Sequence, residues 1–343
     1  MTNKKCNSCG GNLIFSPTSC SLYCEKCKTL QPINANRNFS KRDYESFISS
    51  NKTLTKSAVN ENEFNCPTCG ASISLKGLEF AGTCPYCGSN IVNNNEKDNL
   101  TIDAIVPFKI DRDKVYENYR SSVKKKHFIP SVFKKQPPMD NVKGYYIPSF
   151  GFDAKTSSVY QGVLENEYRD GNGNTHVDRK RISGHQDIDF TDVLIESSSK
   201  INQLDLDSIL PFNVKEAYLY DDDFIRGYSV EKFNDKLENC YRLAKREMEE
   251  MIRDQILSKY TYTRVVSFNC DTKIANKKFC YYMLPIYSID FEYKGKNYKT
   301  TMNGQTGKVG TGIPKSKVKI AFTAISVILF ISLIILLVVM FGN

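Results

Sequence analysis

Eight of the twelve cysteines stand in four Cys-x-x-Cys pairs: Cys6 and Cys9, Cys24 and Cys27, Cys66 and Cys69, Cys84 and Cys87. Such a pair sets two thiols on one tight turn, and two turns together supply the four sulfur donors of a tetrahedral all-cysteine zinc shell. The spacing repeats, with fourteen residues between Cys9 and Cys24 and again between Cys69 and Cys84. Glycine follows Cys9, Cys69 and Cys87, and both Cys66-Pro67-Thr68-Cys69-Gly70 and Cys84-Pro85-Tyr86-Cys87-Gly88 have the form of a zinc-ribbon knuckle. A redox-active Cys-x-x-Cys would open a helix after a strand, not recur in two equally spaced sets. Four thiolates leave no open position for water, so the two expected zinc ions are structural. A module of about thirty residues buries too little apolar surface to fold unaided; zinc binding of roughly 10–16 kcal/mol supplies the difference. Cys20 competes with Cys24 as a ligand, and the matched spacing favours Cys24. Cys240, Cys270 and Cys280 are scattered downstream, and Cys240 falls on the apolar face of an expected helix, as a core residue.

Catalytic signals are sparse. No Gly-x-x-x-x-Gly-Lys-Ser/Thr occurs, since Gly304-Gln305-Thr306-Gly307-Lys308-Val309 has the wrong spacing and the wrong last residue. Neither Gly-x-Ser-x-Gly nor His-Glu-x-x-His is present, and the three histidines, His127, His176 and His185, are dispersed. Asp187, Asp189 and Asp192 read as the solvated side of a strand, and Asp221-Asp222-Asp223 as an exposed loop with at most a weak divalent-cation site. Lys124-Lys125-Lys126-His127-Phe128-Ile129-Pro130, followed by Phe133-Lys134-Lys135, mixes basic and aromatic residues. It reads as a solvated helix end, or as a surface for anionic lipid or nucleic acid; beside a membrane anchor lipid is the better functional alternative, to which each lysine contributes about 1 kcal/mol.

The elements that carry these residues follow from pattern. Ribbons are expected over 1–30 and 62–93, separated by a polar linker, 31–61, with a short helix around 43–48. A second polar stretch, 93–99, leads into a body at 100–312, long enough for an ordinary core. Strands are expected at 102–110, 145–163, 181–195, 264–268, 281–293 and 298–302, with Asp170-Gly171-Asn172-Gly173 as a turn. One helix is expected over 113–127, with Val115, Tyr119, Ser122 and Val123 on one face. A second, about 28 residues long, is capped by Ser229 with Glu231 in its first turn, and carries Phe233, Leu237, Cys240, Ala244, Met248, Met251 and Gln255 at three- and four-residue steps. Val106-Pro107-Phe108 before the first helix resembles Leu210-Pro211-Phe212 before the second, and Tyr145-Tyr146-Ile147-Pro148 resembles 281–285. The body is therefore expected to be an α+β domain of two related halves, each a Pro-Phe strand, a helix and a hairpin.

From 320 to 341 there is no charge, and only Thr323, Ser326 and Ser332 are polar. As a helix this run is about 33 Å long, enough for a hydrocarbon core of about 30 Å. Such a segment excludes a simple soluble enzyme. Lys315, Lys317 and Lys319 precede it, and the positive-inside rule places the body in the cytoplasm. The N-terminus opens on no apolar h-region, and a reducing compartment suits thiolate zinc. The net charge of +9 is spread thinly, unlike that of a nucleic-acid-binding module. Residues 1–30 carry four lysines and one glutamate, but 62–93 carry Lys76 against Glu63 and Glu79.

Two ribbons, Ile105-Val106-Pro107-Phe108-Lys109-Ile110 ahead of a helix, Gly144-Tyr145-Tyr146-Ile147-Pro148-Ser149-Phe150, and Met302-Asn303-Gly304-Gln305-Thr306-Gly307-Lys308 together form a pattern. It resembles the membrane-anchored double-zinc-ribbon proteins of Gram-positive bacteria that carry a TFIIB-type zinc-ribbon or primosomal-helicase-like label. The resemblance implies company with SPFH-domain scaffolds and phage-shock-type membrane-stress proteins, and so a role at the membrane. A helicase activity has no nucleotide-binding motif to support it. Two functions are expected in order: a non-enzymatic adaptor under the bilayer, then a nucleic-acid-binding ribbon protein linked to replication or transcription. Few phosphates can be neutralised by the second ribbon, which favours the adaptor.

Overall fold

The computed structural model describes residues 4–50, 62–75, 78–92, 100–135, 141–313 and 315–341. The N-terminal third holds β1 (Leu13–Ser16), β2 (Ser21–Cys24), β3 (Leu30–Gln31), β4 (Arg42–Asp43), α1 (Tyr44–Ser50), β5 (Asn62–Asn65), β6 (Ser72–Leu75), β7 (Glu79–Thr83) and β8 (Asn90–Val92). The body adds β9 (Ala104–Ile105), α2 (Arg112–Lys125), β10 (Val142–Arg169), β11 (Thr175–Glu196), α3 (Gln203–Ile209), β12 (Tyr218–Leu219), β13 (Ser229–Glu231), α4 (Leu237–Leu257), β14 (Arg264–Tyr293) and β15 (Lys296–Asn303). The apolar helix α5 (Lys317–Phe341) follows the body. The body is sheet-rich α+β, as the sequence leads one to expect.

Two strands far longer than expected dominate it. β10 has 28 residues and β14 has 30, and they pair antiparallel from Val142 with Ile289 to Glu165 with Arg264. Their inner halves are buried on both faces, so those residues read as an unbroken apolar run. Their outer halves, joined by β11, alternate buried and exposed and form a three-stranded arm. The arm is capped where Asp170 accepts from the N–H groups of Asn172 and Asn174, and where Gly173 takes a φ of 83°.

The pairing around this central pair repeats itself. Ala104 and Ile105 lie parallel to Tyr282 and Met283, and Ser229 and Val230 lie parallel to Tyr145 and Tyr146. Hairpin pairing begins immediately after a proline in both halves: Ser149 with Glu196 after Pro148, Ile286 with Asn303 after Pro285. Phe108 and Phe233 each follow their short strand and each precede a helix, α2 or α4. Ile147 opposite Leu284, both fully buried, is the pair about which the two halves are related. Each half therefore runs short strand, helix, hairpin.

Several expectations are corrected. The counterpart of Phe108 is Phe233 and not Phe212; Leu210-Pro211-Phe212 is a loop with a cis Leu210–Pro211 bond. Ser229 and Glu231 do not start the long helix but form β13, and α4 has 21 residues. Its buried stripe passes from Met248 to Ile252 and Ile256, leaving Met251 exposed, because successive four-residue steps keep a side chain on the face toward the sheet. The described part of the expected linker, 31–50, lies on the body. β4 pairs with β14, Tyr44 packs on Tyr241 at 4.3 Å, and Arg42 meets Asp103 at 2.5 Å. Its polar average conceals Phe39, Tyr44 and Phe47, and these aromatics bind it down. The rest of that linker, 51–61, and the second polar stretch, 93–99, lie outside the described residues.

Phe108 is the aromatic hub of the first half. It stacks on Tyr228 at 4.1 Å and meets Tyr146 and Tyr287 at 5.0 and 4.8 Å. Gly304 lies against its ring, and a Cβ there would stand 2.4 Å from Phe108 and 2.9 Å from Pro285 Cβ. Gly304→Ala should therefore destabilise the body by about 2 kcal/mol through overpacking. Gly171→Ala, at a position with nothing within 4 Å, should leave it nearly unchanged. Thermal melts of the detergent-solubilised chain, followed by circular dichroism, check the difference.

Candidate metal centres

All eight cysteines singled out by spacing converge into two clusters. Cys6, Cys9, Cys24 and Cys27 have their sulfurs within 4.8 Å of one another, and so do Cys66, Cys69, Cys84 and Cys87. The Cys6–Cys27 and Cys9–Cys24 separations are both 3.5 Å; those of Cys66–Cys87 and Cys69–Cys84 are 3.7 and 3.9 Å. A tetrahedron of zinc–sulfur bonds of about 2.3 Å has edges of about 3.8 Å, so each cluster fits one such ion. Cys20 is exposed and outside the first cluster. Cys240 and Cys280 are buried in the body.

The four turns share one backbone design. The N–H of the first cysteine donates to the carbonyl five residues on: Cys6 to Gly11, Cys24 to Thr29, Cys66 to Ala71, Cys84 to Ser89. The residue four positions on returns a bond to that cysteine's carbonyl, from Gly10, Lys28, Gly70 and Gly88. Each of these has a φ between 65° and 73°, the left-handed region that glycine enters at little cost. Lys28 is the exception in residue type, and its ammonium sits 5.5 Å from the Tyr23 ring.

Electrostatics argue for a cation in both clusters. In the first, the hydroxyl and N–H of Thr29 pull the Cys27 thiol down to about 6. Cys9, in spite of the Gly11 N–H, is pushed up to about 12 by Cys27 and its other neighbours. In the second, Cys66 is drawn to about 6, against its desolvation, by Ser89 and the N–H groups of Cys69 and Thr68. Cys69 is pushed up to about 12 in spite of the Ala71 N–H. Four sulfurs this close cannot all ionise without a positive charge among them, and a divalent ion removes the conflict as it displaces the protons. Thr29 and Ser89, each two residues past the fourth cysteine, lie 3.2 and 3.0 Å from Cys27 and Cys87. They are outer-shell partners of the sulfurs, legible in the sequence only by aligning the two repeats.

The clusters are held to each other and to the body. Asn12 Nδ2 donates to Cys87 O, while Asn90 Nδ2 donates to Leu13 O at 2.6 Å and Asn90 Oδ1 accepts from Gly227 N at 2.7 Å. Phe15 N donates to Arg226 O, and the Phe15 ring packs on Phe224 at 5.4 Å. β7, between the second cluster's two turns, extends the main sheet beside β13. The Asp221-Asp222-Asp223 triplet belongs to this junction and is not an exposed loop. Asp223 is buried between Lys4 and Arg226, at 2.5 and 2.9 Å, and Asp222 accepts from Tyr220.

Other residues singled out by type stay apart. Asp187 and Asp189 are exposed on the arm, paired with His185 and Lys155. Asp192 is not on their face: it sits at a bulge with a φ of 52°, bridged with Asp153 by Lys41 and accepting from Tyr282. His176 meets Asp170 at the arm's tip. The Met302–Lys308 motif is a clamp: Asn303 Nδ2 donates to the carbonyls of Ile209 and Pro211 and its Oδ1 accepts from Gln305 and Thr306, while Gln305 bonds both backbone groups of Asn213. Beyond these sites, α5 is long and apolar enough to cross a membrane and is not buried in the body.

Two four-cysteine clusters docked on a sheet-rich body with a C-terminal apolar helix define the molecule. The chain is 26% identical over 324 residues to the uncharacterized protein YdjG of Bacillus subtilis (strain 168), covering 92% of this chain and 91% of that one. No family model and no solved structure matches it.

Each cluster should bind one thiophilic divalent ion. Metal analysis of protein purified under reducing conditions should find two per chain, and the double substitution Cys66→Ser with Cys69→Ser should leave one.

Proposed function

We propose that the two clusters are structural zinc sites of two ribbons, and that the chain is a single-pass membrane protein whose residues 1–319 face the cytoplasm. It acts there as a non-enzymatic adaptor. The observation that carries this reading is the combination of closed thiolate shells, packed into the body, with one bare apolar helix preceded by three lysines. Zinc matches the tetrahedral all-sulfur donor set. The ribbons are not independent of each other or of the body, because Asn12 and Asn90 join the two and Phe15 packs the first onto Phe224. They present one composite surface, and the protein partner meets both ribbons and the body at once. The resemblance to the double-ribbon membrane family points to SPFH-type scaffolds and phage-shock-type proteins as partners.

Orientation has a built-in reporter. Cys20 is exposed, so an impermeant thiol reagent should leave it unlabelled in intact cells and label it after lysis. Labelling before lysis would reverse the topology. The adaptor role is tested with the full chain in detergent. It should capture membrane-associated proteins of its own cell, and that capture should fail when either cluster loses its cysteines. Sequence-dependent DNA binding at sub-micromolar concentration, lost on the same substitutions, would overturn the reading, as would turnover of ATP.

A further inference from the structure

The first turn of α5 is fastened to the body at one place. Ser316 caps it, with its hydroxyl accepting from Lys319 N at 3.3 Å and its own N–H donating to Phe128 O at 2.5 Å. Lys319 Nζ donates to Ile129 O at 2.8 Å and lies 3.4 Å from Ser131 Oγ. The connection between α2 and the 3-10 turn Ser131–Lys134 is thereby fixed where the apolar run begins. From Ser316 to Ile320 a helix rises roughly 6 Å. The polar layer on either side of the hydrocarbon core is about 5–7 Å thick. With 320–341 spanning, the backbone of Phe128 stands at headgroup depth.

What the chain presents at that depth is not an ordinary solvated turn. Lys124, Lys125, Lys134 and Lys135 are exposed, and no carboxylate occurs within 124–135 or 315–319. Between the lysines, Phe128 and Val132 are 37% and 46% exposed, while Ile129 and Phe133 are buried. Phe128 has a φ of 60°, a strained conformation for a bulky residue. Phe128 is not part of the core and stays partly exposed. Outward apolar side chains among lysines are the pattern of segments that lie in a membrane interface.

We propose that this face is a second membrane contact: Phe128 and Val132 enter the boundary between headgroups and acyl chains, and the four lysines bind anionic phospholipid headgroups. The contact sets the body at a fixed attitude against the leaflet that holds its anchor. The proposal rests on the reading that α5 spans the bilayer.

The chain contains no tryptophan, so single tryptophans introduced into the full-length protein report unambiguously. Phe128→Trp, Val132→Trp, Leu329→Trp within α5 and Val159→Trp on the remote arm are each reconstituted into phosphatidylcholine vesicles containing brominated lipid, with and without phosphatidylglycerol. Each variant is first checked for its bound metal. Leu329→Trp should be quenched and Val159→Trp should not. Phe128→Trp and Val132→Trp should be blue-shifted and quenched. Their quenching should increase with phosphatidylglycerol and fall about twofold when the four lysines become glutamates or when salt is raised. Quenching of Leu329→Trp with none at positions 128 and 132 overturns the second contact. Quenching there that ignores both phosphatidylglycerol and the lysines overturns its anionic-lipid specificity. Absence of quenching at Leu329→Trp would instead overturn the spanning reading itself.

Discussion

The antiparallel pairing of β10 with β14 is the constraint on which the body depends. Its register is held where Ile147 opposes Leu284, and both strands are buried on both faces there. A shift of one residue would turn every side chain of a strand to the opposite face, which in the arm would expose Tyr160 and Leu164 and bury charged side chains. The flanking elements take their places from this pair. β9 and β13 lie parallel to its two strands, the hairpins start just past Pro148 and Pro285, and Phe108 packs on Tyr146 and Tyr287 while Phe233 packs on Phe150 and Tyr281. The Asn303 clamp then ties the end of β15 to the loop around Pro211.

The cysteine clusters are joined to that framework by chemistry of a different kind. Neither cluster has much of a core of its own: beyond its cysteines, the first packs chiefly on Leu13 and Leu22, the second on Ile73 and Ile91. A metal ion held by the four sulfurs would supply local stability, and the junction through Asn90, Phe15 and Asp223 makes the two local folds a fixed part of one surface. β7, which lies between the second cluster's turns and beside β13, joins that cluster to the sheet edge.

At the other end, α5 leaves the body as a bare apolar helix whose first turn is bonded to Phe128, Ile129 and Ser131. Those bonds limit the angles that α5 can take to the body. For the proposed adaptor, a surface carried at a restricted attitude would be a more selective platform than the same surface on a free tether, because less orientational freedom is lost when a partner binds.

Chemistry that depends on spacing along the chain was legible from residue order alone. The eight ligands, the preference for Cys24 over Cys20, and the apolar helix all follow from local rules: a Cys-x-x-Cys turn closes within six residues, and a spanning helix satisfies its own backbone bonds. The α+β class and the approximate repeat were also legible, since aromatic-proline strings mark the strands that meet. Whatever depends on partners distant in sequence was not. Ser229 and Glu231 look like a helix start until β10 is beside them, because a three-residue strand has no periodicity to recognise. The segment 31–50 reads as a linker until Tyr44 finds Tyr241, and Asp192 reads as solvated until a bulge turns it toward Lys41. Asn12 and Asn90 carry no signal at all, since their role consists of bonds to Cys87 and Leu13, more than seventy residues away. Local propensity and donor chemistry are properties of a short segment, whereas the docking of the cysteine clusters, of residues 31–50 and of α5 is decided by surfaces that exist only once the long strands have paired.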